Sequence, residues 1–310
     1  MPKDEQLPGA GTFHLAAGGN LRGILAMVTA MGLFACGDTL MKIAATHLPT
    51  GELIFFRALF VTGLVLAALV MLGQLAQVRR ACIAPVGCRA AGDVGSAFLF
   101  QSALAYMPLA DLMSVTQIGP LLMTAASAVY LKEAVGWRRW TAAAVGLVGV
   151  LLIIRPGAST SSWWALAALA SVFSSVFKDL ATRRVDPSIP TLAVLVYSSV
   201  ASIAFGLLLA LFDPWSMPDA RMLAILLGAA IFSMTGQFCS IVAMRSGELS
   251  VVAPFRYALI VFAIVLGYLV WGHLPDLIGF TGIAIVVGAG MYTFHREQLR
   301  RRERSTTSGG

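Results

Sequence analysis

Six ionisable side chains stand inside stretches that are otherwise apolar: Asp38, Lys42, Arg57, Lys178, Asp179 and Arg256. Near the centre of a bilayer such a group costs about 2.5 kcal/mol or more, so each requires a partner, water or a function. Asp38 and Lys42 lie four residues apart with the acid first, the better order for a pair on one helix face. They read either as a self-neutralising pair or as a gate, and Asp179 belongs with them in that role. Lys178, one residue before Asp179, is close enough to a surface to extend its ammonium into water. Arg57 and Arg256 stay protonated in any site. A guanidinium makes paired, planar hydrogen bonds to a carboxylate, so the two read as gripping an anionic or strongly polar part of a solute in one shared cavity, or else as interfacial anchors. Tyr106, Gln117, Gln237, Tyr257 and Trp271 add polar and stacking groups to that binding set. Glu133, just before GWRR, reads as an ion-pair partner of the arginines after it.

Bond-breaking chemistry finds no such support. H-E-x-x-H, a Walker phosphate loop and G-x-S-x-G are all absent from the sequence. Ser175 and Lys178 spell S-x-x-K, but the motifs that accompany it in serine acylases are missing. Cys36, Cys82, Cys88 and Cys239 have no metal-ligand spacing and read as small apolar residues. No catalytic residue, metal or cofactor is expected. Two further acids read as structural: Asp111 in YMPLAD as a helix N-cap, and Asp93 as a partner of Arg89 one turn earlier.

The elements that must position these groups are membrane helices. Of 310 residues, 58% are hydrophobic and only 12% charged, and the mean hydropathy is +0.82. A water-soluble fold could not cover that much apolar surface. Short polar or Pro/Gly-containing breaks recur every ~25 to 30 residues, each interval holding the roughly 20 apolar residues that a membrane helix needs. The expected spans are about 23–46, 52–73, 87–107, 111–131, 138–154, 163–181, 190–212, 221–244, 249–271 and 277–294. Pro120 and Pro254 fall inside the fourth and ninth, where each removes a backbone hydrogen bond and bends its helix. Residues 1–20, polar and Gly-rich without the pattern of a removable signal, are expected to be a disordered cytoplasmic tail, and 295–310 a basic one. Lys and Arg concentrate on the side that holds both termini, leaving only Arg155 and Arg221 in the opposite loops. That bias places both termini in the cytoplasm. It also explains the net charge of +7 without a nucleic-acid partner.

The chain repeats itself. A displacement of about 140 residues lays residues 34–50 over 173–191, pairing Asp38 with Asp179, Lys42 with Arg183 and Pro49 with Pro190. It also sets Glu133 opposite His273. Each copy, 21–157 and 158–294, carries five spans, and an odd number turns the second copy upside down. Two inverted halves can exchange conformations and open a central site to each side in turn.

These stretches resemble the paired EamA repeats of the drug/metabolite transporter superfamily over about residues 23–293. In the first copy the resemblance is carried by GDTLMK, by Phe55, Phe56 and Arg57, and by LKEAVGWRRWTAAAVGLVGVLLIIRPG. In the second it is carried by VVAPFRY and GYLVWGHLPD. The combination is similar to the branch that contains S-adenosylmethionine uptake proteins, with riboflavin importers in related branches; His273 stands where members usually carry Glu. The resemblance implies an all-α membrane protein of ten transmembrane helices, built as two inverted five-helix repeats. It implies a secondary transporter in the cell inner membrane for a small organic metabolite, amino-acid-like or nucleoside- or vitamin-like. Export of amino acids or other metabolites is the alternative within that superfamily; a non-transporting membrane scaffold is the alternative outside it. The expected partners are the substrate and the lipid bilayer, with the chain a monomer or homodimer.

Overall fold

The computed structural model describes residues 10–130, 137–154, 161–186, 188–212, 215, 217–246 and 249–307. Everything regular among them is helical: α1 (Ala10–Ala45), α2 (Thr50–Met71), α3 (Ala84–Tyr106), α4 (Leu109–Thr116), α5 (Gly119–Tyr130), α6 (Trp137–Ile154), α7 (Ser161–Thr182), α8 (Thr191–Leu209), α9 (Ala220–Ser246), α10 (Leu249–Val252), α11 (Ala258–Trp271) and α12 (Leu277–Thr307). Short 3-10 segments cover Leu75–Ala81 and Ala253–Tyr257. Helices satisfy their own backbone groups, which is the condition a chain this apolar must meet in lipid.

Six described segments are long and apolar enough to cross a membrane: Asn20–Ala45, Thr50–Met71, Trp163–Thr182, Thr191–Leu209, Ala220–Met244 and Ala253–Trp271. Leu109–Met123, Trp140–Ile154 and Leu277–Thr293 are shorter apolar helices. α3, which carries Arg89, Asp93 and Gln101, belongs to neither group. α1 starts at Ala10 and α12 runs on to Thr307, so helix extends past the apolar part at both ends.

Two helices are broken where proline predicts it. α4 stops at Thr116 and α5 resumes at Gly119, with Pro120 in its first turn. Pro254 lies in the 3-10 segment that joins α10 to α11. The two breaks meet: the side-chain amide of Gln117 donates to the carbonyl of Arg256 at 2.9 Å. A backbone acceptor at one interruption is thus paired by a side chain from the other, as buried backbone requires. α11 ends on Gly272 at φ 68°, a left-handed position that favours glycine. Asp219 caps the start of α9 through the N–H of Met222 at 2.8 Å, and Asp276 the start of α12 through the N–H of Gly279 at 2.9 Å.

α1 packs on α9, α2 on α8, α3 on α7, α6 on α12 and α4 on α11. Small residues let several of these pairs approach closely. At the α6–α12 crossing, a β-carbon built on Gly282 would lie 2.7 Å from the Gly149 carbonyl oxygen. At the α3–α7 crossing, one built on Gly92 would lie 3.0 Å from the Lys178 backbone nitrogen. The largest core cluster gathers Met41, Leu53, Leu104, Leu109, Leu112, Met113, Ile118, Leu121, Leu226 and Ile260, all buried.

Candidate functional site

A cavity of about 490 Å³ opens between α1, α2 and α3 on one side and α7, α8 and α9 on the other. Its lining holds three acids, Asp38, Asp93 and Asp179, and three bases, Arg57, Arg89 and Lys178. Gln237 and Ser96, Ser198, Ser199, Ser202 and Ser233 supply neutral polar groups, while Phe34, Ile54, Phe100 and Met234 form apolar wall. Asp38 and Asp179, which the internal repeat aligns with each other, therefore face one space. The volume falls within the roughly 300–1,000 Å³ usual for small-molecule sites.

The charges divide by what they touch. Lys178 and Asp93 form an ion pair at 3.1 Å between α7 and α3, and Arg89 donates to the Ser198 hydroxyl on α8. Ser174 on α7 donates to the Gly92 carbonyl at 3.0 Å, tightening the same seam. The Ser199 and Ser202 hydroxyls turn back to carbonyls of their own helix. Asp38 and Arg57 are half-buried. The charge of Arg57 acts on Asp38, yet the two do not close an ion pair.

Of the residues that the sequence singles out for binding or gating, the structure gathers Asp38, Arg57, Asp179 and Gln237 at this cavity and places the other described ones elsewhere. Lys42 does not pair with Asp38. Lys42 is only 6% exposed, and its ammonium donates to the carbonyls of Leu104 and Met107 at 2.7 and 2.5 Å. It also sits 5.5 Å from the centre of the Trp271 ring. The end of α3 leaves carbonyls without intrahelical donors and carries the negative end of the helix dipole, so a nearby lysine is drawn there. Arg256 is not part of the cavity lining: it is exposed on the 3-10 segment, while Gln117 is engaged with its backbone. Tyr257 is 7% exposed and packs against Gly290, where no β-carbon would fit beside its hydroxyl. Tyr106 stacks on Trp164 with ring centres 4.1 Å apart and planes 13° from parallel. Glu133 lies outside the described residues.

Two structural expectations are corrected as well. Asp93 pairs with Lys178 instead of Arg89, because the α3–α7 crossing brings a base from another helix within reach. Asp111 stands in the first turn of α4, whose N-cap is Pro108. Together with Trp271, His273 and Asp276 it lines a separate pocket of about 440 Å³.

Arg89, Asp93 and Lys178 are the cavity charges that sequence reasoning treated as local pairs or surface anchors. A signal for the first two was present: Arg89, Asp93, Ser96 and Phe100 fall at i, i+4, i+7 and i+11, which puts them on one face of a helix. Ser198, Ser199 and Ser202 likewise make a polar patch within the apolar α8.

The EamA-like transporter family model matches residues 21–155 and again 162–294. A riboflavin transporter of Vibrio cholerae is 30% identical over 206 residues, which is 66% of this chain and 69% of that protein. A pseudopaline exporter of Pseudomonas aeruginosa is 27% identical over 270 residues, 86% of this chain and 94% of its own. An S-adenosylmethionine uptake transporter of Rickettsia prowazekii is 21% identical over 289 residues, covering 90% and 94%. Among solved structures, the crystal structure of one protein superposes with a TM-score of 0.62 at 21% identity, covering 91% of this chain and 98% of that one.

Proposed function

Because the chain belongs to the EamA-like transporter family, we propose that it is a secondary transporter carrying a small organic metabolite across the inner membrane by alternating access. The observation that carries this reading is the charge-lined cavity between three helices of each repeat, set in an otherwise apolar bundle. A polar space of that kind costs stability in lipid and serves a solute that must leave water on its way across.

The packing supports an inverted ten-span arrangement. Count α4 with α5 as the fourth span and α10, the 3-10 segment and α11 as the ninth. Exchanging every span for the one five places away then carries the α1–α9 pair onto α7–α3, and returns α2–α8, α6–α12 and the two joined breaks to themselves. The cavity helices exchange as a set. That invariance is what a pseudo-two-fold axis produces, an odd number of spans in each half would lay that axis in the membrane plane, and two halves so related can swap conformations around a fixed central site. With both termini cytoplasmic, the Lys42 contact to the end of α3 lies toward the outer face, where its release would accompany outward opening.

Relatives named for transport of riboflavin, uptake of S-adenosylmethionine and export of pseudopaline support an organic solute and leave both directions open. The test is solute flux in proteoliposomes holding the purified chain, measured in both directions with riboflavin, S-adenosylmethionine and the proteinogenic amino acids. Flux above protein-free vesicles that falls at least tenfold in Asp38→Asn supports the reading. No flux of any solute, from correctly inserted protein, counts against it.

A further inference from the structure

The charged groups of the cavity fall into two sets. Lys178 with Asp93, and Arg89 with Ser198, are already engaged across helix seams. Among the described residues, Arg57, Asp38 and Asp179 find no side-chain hydrogen bond or ion pair there, although Arg57 and Asp38 lie within electrostatic reach of each other. We infer that the cavity selects a zwitterion: a solute that presents an anionic group to Arg57 and a cationic group to Asp38 or Asp179 in the same bound pose. This rests on the reading of the cavity as the transport site.

The reason is desolvation. A solute that enters displaces the water solvating the open charges, and a charge left dry and unpaired is expensive. An anion would satisfy Arg57 and bring like charge toward Asp38 and Asp179. A cation would satisfy the acids and add repulsion at Arg57, which cannot shed its proton to relieve it. A neutral solute would leave both signs uncompensated. Only a solute bearing both signs replaces the lost solvation on each side. A carboxylate is the anionic group best matched to guanidinium geometry. Phe34, Ile54, Phe100 and Met234 in the wall fit an apolar or aromatic body between or beside the two charged ends. An amino acid or amino-acid conjugate has that chemistry.

Thermal unfolding of the purified protein reads occupancy without requiring transport, since a ligand that binds the folded state raises its apparent stability. The probes are the proteinogenic amino acids, their N-acetyl derivatives as anions, their methyl esters as cations, and riboflavin as a neutral solute. At least one zwitterion is expected to stabilise at a concentration ten or more times lower than its own N-acetyl and ester forms. Arg57→Gln should then erase the discrimination against the ester, and Asp38→Asn or Asp179→Asn the discrimination against the N-acetyl form. A residue that merely maintains the fold would not produce opposite changes in charge preference. The wild-type comparison decides even if a variant fails to fold. Stabilisation by anions, cations or riboflavin alone, equal stabilisation by all charge forms, or none by any zwitterion overturns the proposal. Zwitterion binding without flux strikes the transport reading and leaves the selectivity standing; flux of riboflavin without zwitterion binding does the reverse.

Discussion

Lys42 and Asp38 are one turn apart on α1 and live in opposite circumstances. Lys42 is buried and spends its donors on the carbonyls of Leu104 and Met107. Asp38 faces a cavity with Arg57 near it and no closed bond. A charge that is fully satisfied inside the protein holds elements together, here the ends of α1 and α3. One left open beside a cavity holds nothing, and is retained at a cost that a ligand can offset. The same division separates Lys178, closed on Asp93 at 3.1 Å, from its sequence neighbour Asp179, which lines the same cavity.

The largest expected effect is on the closed side. Lys42→Met removes two charge-assisted hydrogen bonds, each worth ~1.5 kcal/mol or more, so stability should fall by about 3 kcal/mol in detergent-solubilised thermal unfolding. A melting temperature close to wild type would erase the contrast. Asp38→Asn should do the opposite: stability within ~0.5 kcal/mol of wild type, as for positions without a fixed partner. Its transport should fall at least about tenfold, equivalent to ~1.4 kcal/mol in the limiting step. Full transport by that variant would move the binding site elsewhere.

Two smaller effects sharpen the contrast. Gln117→Leu leaves the Arg256 carbonyl without its 2.9 Å donor. The expected loss is ~1 kcal/mol of stability, detectable as a lowered unfolding midpoint. The smallest is the coupling between Lys178 and Asp93, whose side chains are 22% and 30% exposed. A double-mutant cycle of Lys178→Gln and Asp93→Asn should return ~0.5 to 1 kcal/mol. A coupling several times larger would make that pair a principal lock of the α3–α7 seam.

Much of the architecture was legible because it follows from local rules. Apolar runs of the right length become helices, since lipid allows few other solutions for the backbone. Pro120 and Pro254 announced the two interruptions because proline removes a donor wherever it stands. The repeat aligned Asp38 with Asp179, and both line the cavity. Less was legible in the choice of partners. The spacing of Asp38 and Lys42 describes neighbours on one helix, and that of Arg89 and Asp93 does the same, but neither pair forms in preference to a partner from another helix.

By itself, then, the sequence determined the helical, two-repeat membrane character of the chain, the places where helices break and the residues too polar for lipid. These are properties of a residue and its near neighbours along the chain, and hydropathy, proline geometry and spacing express them directly. Which of the polar residues are closed and which stay open was decided only by tertiary structure. The ends of α3 and α1 meet at Lys42, the α3–α7 crossing delivers Lys178 to Asp93, and six helices leave Arg57 and Asp38 facing a shared space. A long side chain bonds to whatever acceptor the fold brings within a few ångströms, and residues distant in sequence are put there by helix packing, which no local pattern encodes.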